Sequence, residues 1–368
     1  MNKKIRVAIL FGGKSAEHEV SLQSAKNIVD AIDKEKYEVV LIGIDKQGRW
    51  TLSDPSKFLL HAENPKLISL NKSQESVALV TAESGSHEIV ALAGNSSPGP
   101  VDVVFPVLHG PLGEDGTIQG LLKLMDVPFV GAGVLGSAAG MDKDVMKRLL
   151  RDAGVPIPDF LVFTWPERDG VDFGAVTNRL GSPVFVKPAN MGSSVGIHKA
   201  TSKPDFDAAV ADAFRYDSKI IIEEAIPGRE IECSVLGNDD PIASVPGEII
   251  PQHEFYSYEA KYIDENGALL EVPAKLPQDV VQRVQELAVR AFKILCCEGM
   301  ARADLFLVDE NKLYLNEINT IPGFTKISMY PKLWEHSGMS QTKLIDRLIQ
   351  LALERHEREK KLKTSFEL

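Results

Sequence analysis

Cysteine is scarce in this chain: only 3 of its 368 residues are Cys. Cys296 and Cys297 are adjacent, an awkward geometry for a bridge between them, and with Cys233 they exclude a disulfide framework and read as thiols in a reducing compartment. Long apolar runs are also missing, with no stretch of about 18 apolar residues to span a bilayer. The N-terminal segment turns apolar after Lys3-Lys4, but the run stops at Gly12-Gly13, too short for a secretory leader. A soluble, cytoplasmic protein is the expectation. Positive charge is in deficit, since 41 Lys+Arg against 52 Asp+Glu leave a net charge of −11. Such a surface disfavours nucleic acid and anionic membranes as partners, so any bound anion needs local cations or a metal. What remains is ordinary, 44% hydrophobic and 25% charged, which excludes collagenous, coiled-coil and disordered chains and suits two or three α/β domains.

The segment 5–10 reads as a buried strand, followed by a Gly-Gly turn, a helix from about Ser21 to Ile32 and a second strand over Tyr37–Ile44. Strand, crossover helix and strand at this spacing predict a βαβ unit with parallel pairing. Residues 71–100, rich in Ser, Gly, Asn and Pro, read as a peripheral excursion, and Asp102–Leu108 as a return to a buried strand. Helices are expected over Asp142–Ala153, closed by Gly154 and Pro156, and over about Asp279–Cys296. A last helix begins near Ser340. Strands are expected over 183–187, 195–199 and 219–223.

Two glycine motifs invite a nucleotide reading. Gly13-Lys14-Ser15 follows a strand, but a G-x-x-x-x-G-K-S/T loop would need glycine where Ala8 stands. Gly131-Ala132-Gly133-Val134-Leu135-Gly136 fits G-x-G-x-x-G, yet it lies at the end of the first domain with no second strand carrying an acidic ribose partner. A tight turn between domains explains it, and a nicotinamide-dinucleotide enzyme stands as the alternative class.

The segment 300–319 carries more chemistry. Met300–Val308 is a strand with Arg302 and Asp304 on one face. A polar turn at Glu310-Asn311 leads into Leu313–Asn319. Pairing Asp309 with Lys312 sets Asp304 opposite Glu317 and Arg302 opposite Asn319. Facing carboxylates repel unless a cation lies between them. With the Asn319 amide the set is hard oxygen and incomplete, which suits Mg²⁺ or Mn²⁺ with positions left for water and phosphate. The turn at Pro322-Gly323 frees backbone N–H groups near that face, a candidate oxyanion hole. Lys187–Gly196 joins two strands through a Gly- and Ser-rich loop that can cradle phosphate, with Lys187 at its base and Lys143 as a second cation. Glu223–Glu230 ends a strand where backbone can meet an adenine edge and a carboxylate the ribose.

In this order along the chain, the motifs resemble the D-alanine–D-alanine ligases of the ATP-grasp superfamily. They are Gly12–Ser21, His109–Gly116, Met141–Lys143, Gly192–Gly196, Tyr258–Tyr262 and Asn316–Gly323. The resemblance implies a Rossmann-like N-terminal domain (1–140) followed by a two-part ATP-grasp fold (141–226 and 227–368). It implies formation of D-alanyl-D-alanine from ATP and two D-alanines for peptidoglycan precursors, with two Mg²⁺ or Mn²⁺, in a homodimer. Lys143, Lys187 and Ser194 would contact phosphates, Glu223, Glu224, Ala225 and Ile226 the adenine, and Glu230 the ribose. Phe306, Asn316 and Glu317 would complete the ATP contacts, and Lys261 would sit on a loop closing over the γ-phosphate. Asp304, Glu317 and Asn319 would hold metal. Glu17 would bind the first ammonium with His109 nearby, Arg302 and Gly323 would stabilise the carboxylate and tetrahedral intermediate, and Ser328 with Met329 would meet the second carboxylate. Glu17, Ser193 and Tyr262 would form a hydrogen-bonded triad. Met329 stands where leucine is common, a volume-conserving exchange. Tyr262 favours dipeptide over D-alanyl-D-lactate, with ligases using D-lactate or D-serine as the alternatives.

Overall fold

The computed structural model describes residues 3–71, 75–81, 86–93, 98–251, 268–363 and 365. Apolar strands at the two ends of the predicted βαβ unit pair as expected. Ile5–Gly12 runs parallel to Tyr37–Ile44 on one side and to Val103–Val107 on the other. Buried on both faces, these strands carry near-continuous Val, Ile and Leu, the signature of a parallel sheet covered by helices. Trp50–Ser53 completes the sheet at its edge. The crossover helix is His18–Ala31, which starts ahead of the expected Ser21. His18 is itself buried and its Nδ1 lies 2.7 Å from the Gly13 carbonyl, fixing the entry turn. Within 71–100 the described residues form a small antiparallel sheet of Val77–Thr81, His87–Ala91 and Gly99–Val101.

A second sheet is antiparallel, in the order Phe160–Thr164, Lys219–Glu224, Val184–Pro188, His198–Ala200. The helices Phe173–Leu180 and Lys203–Ala213 pack on it through Val176, Phe206 and Val210. Sequence reading named neither helix. The third sheet runs Ala268–Glu271, Gly247–Pro251, Arg229–Gly237, Gly299–Val308, Lys312–Asn319, with Ile242–Ala243 pairing to one side. Alternation in Gly299–Val308 buries Ala301, Ala303, Leu305 and Leu307, and leaves Arg302, Asp304, Phe306 and Val308 half-buried on the opposite face. Helix Gln278–Ile294 covers the buried side with Val284, Ala288 and Phe292.

Two helices tie the sheets together. Lys143–Asp152, capped by the Asp142 carboxylate, sends Met146 and Leu150 into the core of the third sheet. Gln341–Glu359 returns to the first sheet, where Leu344, Ile345, Leu348 and Ile349 join Val7, Ile9 and Phe105. The G-x-G-x-x-G segment belongs to this seam. Gly131 (φ 95°) precedes the helix Val134–Met141, unnoticed in the sequence. A methyl group at Gly136 would come within 2.5 Å of the Cys296 carbonyl oxygen. Buried Arg355 donates to the Phe129 and Gly131 carbonyls at 2.7 and 2.5 Å. These glycines let backbones approach, a packing role. Among the described residues no helix is long and apolar enough to cross a membrane.

Candidate active site

The half-buried face of the third sheet and the inner edge of the second enclose a cavity of about 520 Å³. Lys143, Lys187, Ser193, Ser194, Glu223, Glu224, Ala225, Ile226, Glu230, Asp304, Phe306, Asn316 and Glu317 all line it. Carboxylates outnumber the lysines in that lining, so a polyanion could enter only where cations are concentrated.

The hairpin gives the clearest test of sequence reading. Asp304 does face Glu317, and Arg302 faces Asn319. The assumed start of the register is corrected, because Val308 rather than Asp309 pairs with Lys312. A β-bulge between Asp304 and Leu305 on one strand and Leu315 and Glu317 on the other absorbs the difference, leaving Asn316 as the extra residue. The burial pattern shows it too: Leu313, Leu315 and Ile318 are buried, while Asn316 and Glu317 are both half-buried. The bulge turns the Asn316 carbonyl towards Lys147 Nζ, 3.1 Å away, and its side-chain oxygen towards Lys187 Nζ at 3.5 Å.

The acidic pair meets fixed cations. Arg302 donates to both Asp304 oxygens at 2.7 Å, and its Nε lies 2.9 Å from Glu232. The Asn319 amide donates to Asp304 at 2.9 Å. Lys143 Nζ stands 3.7 Å from Glu317 and donates to the Met191 carbonyl at 2.6 Å. Two carboxylates and an amide on one sheet face are hard-oxygen donors that fit Mg²⁺, an ion that completes its shell with water and phosphate. Among the described residues no group of three or more His, Cys, Asp or Glu forms a closed metal cage.

Lys187 Nζ donates to Glu223 at 2.7 Å, and Lys147 Nζ reaches the other Glu223 oxygen at 3.2 Å. Burial pushes the Glu223 carboxyl up, but the two lysines outweigh it and hold it below the usual range. Its carboxylate is therefore engaged with lysines on the cavity wall. Glu224 accepts from the Asp159 N–H at 2.8 Å. In the glycine- and serine-rich loop Ser193 (φ 53°) and Ser194 (φ 61°) are both left-handed. Successive N–H groups in such backbone make an anion-binding concavity. The loop is pinned by Asp217, which accepts from Asn190 N and Nδ2 at 2.8 and 2.9 Å, and by Ser193 Oγ donating to Glu17.

Glu17, His109, Arg302, Asn319, Gly323, Ser328 and Met329 are absent from the cavity lining; Glu17 adjoins it through Ser193, and Arg302 and Asn319 through Asp304. The turn carrying Gly323 is held by the helix His18–Ala31 and by the segment after the strand Val103–Val107. His109 Nδ1 lies 3.0 Å from the Ile321 carbonyl and Nε2 3.2 Å from Ser24 Oγ, which accepts the Phe324 N–H at 3.1 Å. The carbonyl can only accept, so His109 donates through Nδ1 and Nε2 takes the Ser24 proton. Burial pulls the imidazole down to about 4, keeping it neutral. Asn27 donates to the Phe324 carbonyl at 2.8 Å. Glu114 accepts from Gly110 N–H at 2.7 Å and Ile321 N–H at 3.2 Å. Burial and the nearby Glu17 charge push its carboxyl up to about 8. Ser328 Oγ accepts from Thr325 N–H at 2.9 Å. Met329 is buried with Leu333 and Ile249 where the helix Met329–His336 begins. Lys261 and Tyr262 lie outside the described residues.

Sequence reading missed Lys147, Ser24, Asn27, Glu114 and Glu232 as parts of this site. Lys147 had a signal: it falls one turn after Lys143 on the helix face of Met146 and Leu150, where a lysine is out of place.

Comparison with known proteins gives the same picture. Residues 6–132 match the family model for the D-ala D-ala ligase N-terminus, and 149–350 that for the C-terminus. The chain is 58% identical to a D-alanine–D-alanine ligase of Shouchella clausii over 98% of both sequences. It is 56% identical to D-alanine–D-alanine ligase A of Escherichia coli, over 99% of this chain and 100% of that one. Among solved structures, the D-alanine–D-alanine ligase of Coxiella burnetii superposes with a TM-score of 0.84 at 40% identity, covering 97% of this chain and 96% of that one. A D-Ala:D-Ser ligase from Enterococcus faecalis gives 0.82 at 35% identity, covering 95% and 100%. With the mixed α/β sheets, the hairpin and the serine loop arranged as the motifs required, and relatives this similar over the whole length, the chain belongs to the D-alanine–D-alanine ligase family.

Proposed function

We infer that this chain joins two D-alanines into D-alanyl-D-alanine, with ATP converted to ADP and phosphate, in three working units near 1–140, 141–226 and 227–368. What supports the reading is one juxtaposition: a serine loop with left-handed backbone, two lysines and a hairpin of facing carboxylates share one cavity, and Ser193 links that cavity to buried Glu17.

A free carboxylate does not acylate an amine, because its oxygen is too poor a leaving group. The carboxylate oxygen of the first D-alanine attacks the γ-phosphorus, the bond to the ADP oxygen breaks, and an acyl phosphate forms. Lys143 and Lys187 hold the phosphates, with Ser194 and the neighbouring N–H groups around them. Glu223, Glu224, Ala225 and Ile226 meet the adenine through their backbone, Phe306 and Asn316 complete the pocket, and Glu230 takes the ribose. Glu17 holds the first ammonium. The second D-alanine loses an ammonium proton to solvent, its amine attacks the carbonyl carbon, and phosphate leaves with release of the remaining extra proton, while Arg302 and the Gly323 N–H receive the charge on the carbonyl oxygen. Ser328 and the first N–H of its helix receive the second carboxylate. The Lys261–Tyr262 segment excludes water from the acyl phosphate, and Tyr262 favours dipeptide over depsipeptide. Asp304, Glu317 and Asn319 would hold Mg²⁺ or Mn²⁺, which supplies charge neutralisation at the phosphates when bound.

The test is ADP release with D-alanine, L-alanine, D-lactate and D-serine, each with and without Mg²⁺. Release that needs Mg²⁺ and D-alanine supports the reading. A preference for D-lactate or D-serine in the second site moves the assignment to those ligases, and release independent of any D-amino acid rejects it.

A further inference from the structure

Lys147 lies directly behind the nucleotide wall, and the expected chemistry gives it no task. Its side chain has no exposure at all, and it is among the largest fully buried side chains of the protein. Burying an ammonium is expensive unless its partners compensate. Its partners are Glu223 Oε1 at 3.2 Å and the carbonyl of bulged Asn316 at 3.1 Å. Glu223 is shared, because its other oxygen takes Lys187 at 2.7 Å. Lys187 and Glu223 face the cavity, whereas Lys147 stands behind them and is not in the lining.

Charge arithmetic follows from this sharing. A Lys187–Glu223 pair alone is neutral, and the lysine that should meet phosphate would have its charge cancelled by its own anchor. Burial pulls the Lys147 ammonium below the ordinary lysine range, and Glu223 opposes it. Protonated Lys147 on the second oxygen gives the cluster one surplus positive charge, displayed at the wall through Lys187. We propose that Lys147 is a positioning residue for nucleotide phosphates: it balances Glu223 from behind, so that Lys187 keeps its charge for the polyanion, and it fixes the Asn316 bulge beside Glu317. The proposal rests on reading the cavity as the nucleotide site. It separates phosphate recognition from adenine recognition, which depends on backbone at 223–226.

The experiment is calorimetric binding of ADP and of adenosine, in Mg²⁺, to the wild-type protein, Lys147→Met and Lys147→Met/Glu223→Gln. Lys147→Met makes the cluster neutral, and ADP affinity is expected to fall about tenfold, the order of one unit charge several ångströms away at intermediate dielectric. Adenosine, which carries no phosphate, is expected to change less than about twofold. Adding Glu223→Gln restores one surplus charge and is expected to return ADP affinity to within about threefold of wild type. Equal losses for ADP and adenosine, or no recovery in the double variant, would overturn the proposal in favour of a purely structural lysine. Should Lys147→Met not fold, Lys147→Gln keeps a donor for the Asn316 carbonyl and is read in the same way. Wild-type ADP binding and D-alanine-dependent ADP release, run alongside, reveal separately whether the parent reading has failed.

Discussion

Removing the Arg302 guanidinium perturbs two properties, and the structure gives each a size. The side chain is 17% exposed and makes a two-pronged contact with Asp304 at 2.7 Å, with Glu232 at 2.9 Å from Nε. Truncation to alanine takes this cation from two carboxylates that are themselves largely buried. Breaking a buried pair costs about 3–5 kcal/mol; Asp304 retains its bond from Asn319, so the lower end, about 3 kcal/mol, applies to stability. Transition-state charge is a separate loss. One missing oxyanion donor costs about 3 kcal/mol, more than a hundredfold in rate. Arg302→Lys separates the two, since it keeps a charge but cannot form the fork. We expect Arg302→Ala to lower the thermal midpoint by several degrees and D-alanine-dependent ADP release by at least about a hundredfold, with Arg302→Lys regaining about tenfold of the rate. ADP binding measured on the same samples shows whether the cavity has survived. An Arg302→Ala protein that binds ADP and turns over within about threefold of wild type would refute the assigned role.

Gly192→Ala places a methyl 2.9 Å from Glu17 Oε2; that carboxylate must shift, so the KM for D-alanine is expected to rise while the melting temperature changes little, and an unchanged KM counts against Glu17 as the ammonium site. Ser24→Ala removes the acceptor of the Phe324 N–H and the donor to His109, both buried, at about 1–3 kcal/mol per orphaned group; a lower melting temperature with a reduced kcat is expected, and wild-type kinetics would show that the Gly323 turn needs no such support. Glu114, pushed from 4.5 to about 8 by burial and Glu17, binds its proton more tightly folded than unfolded, so its contribution to stability declines as pH rises from about 4.5 to 8, by at most about 5 kcal/mol at roughly 1.4 kcal/mol per pH unit. Glu114→Gln should flatten that part of the stability profile in urea titrations across this range, and an identical slope in both proteins would refute the assignment. Chelation of divalent ions should abolish ADP release yet leave the melting temperature of the nucleotide-free protein unchanged, because Arg302 and Lys143 already stand beside Asp304 and Glu317; a large fall in melting temperature would mean that the carboxylates depend on the metal for folding.

Much of this site was legible because its elements obey short-range rules. Parallel strands announce themselves as apolar runs, and alternation puts Arg302, Asp304 and Phe306 on one face whatever the tertiary context. The hairpin register shows where such rules stop. The correct facing of Asp304 and Glu317 was reached from a turn one residue out, and the bulge at Asn316 restored it. The clue was present as a break in alternation, Leu313, Leu315 and then Ile318, but a bulge is settled by what the extra residue meets, here Lys147 and Lys187 from distant segments. The partners of Glu223 are illegible for the same reason. Its place on a strand end puts the 223–226 backbone at the cavity, but only the folded chain brings two lysines to its carboxylate. The support of the Gly323 turn from Ser24, Asn27, His109 and Glu114 spans the length of the chain, and local pattern carries no trace of it.

The charge balance explains why no single motif identifies this protein while the ordered set does. A chain with net charge −11 and a cavity rich in carboxylates repels a triphosphate over most of its surface. Attraction must be assembled from separate segments: Lys143 at a helix start, Lys187 on a strand of the second sheet, Arg302 on a strand of the third. Each is an ordinary basic residue in its local context, and each has a nearby acid that would cancel it in isolation. Only when helix, strand and hairpin converge do the acids become orienting anchors and the cations a phosphate site. The specificity of the sequence signal is therefore the specificity of the fold that joins these segments, which is why the spacing between motifs carries more information than any motif alone.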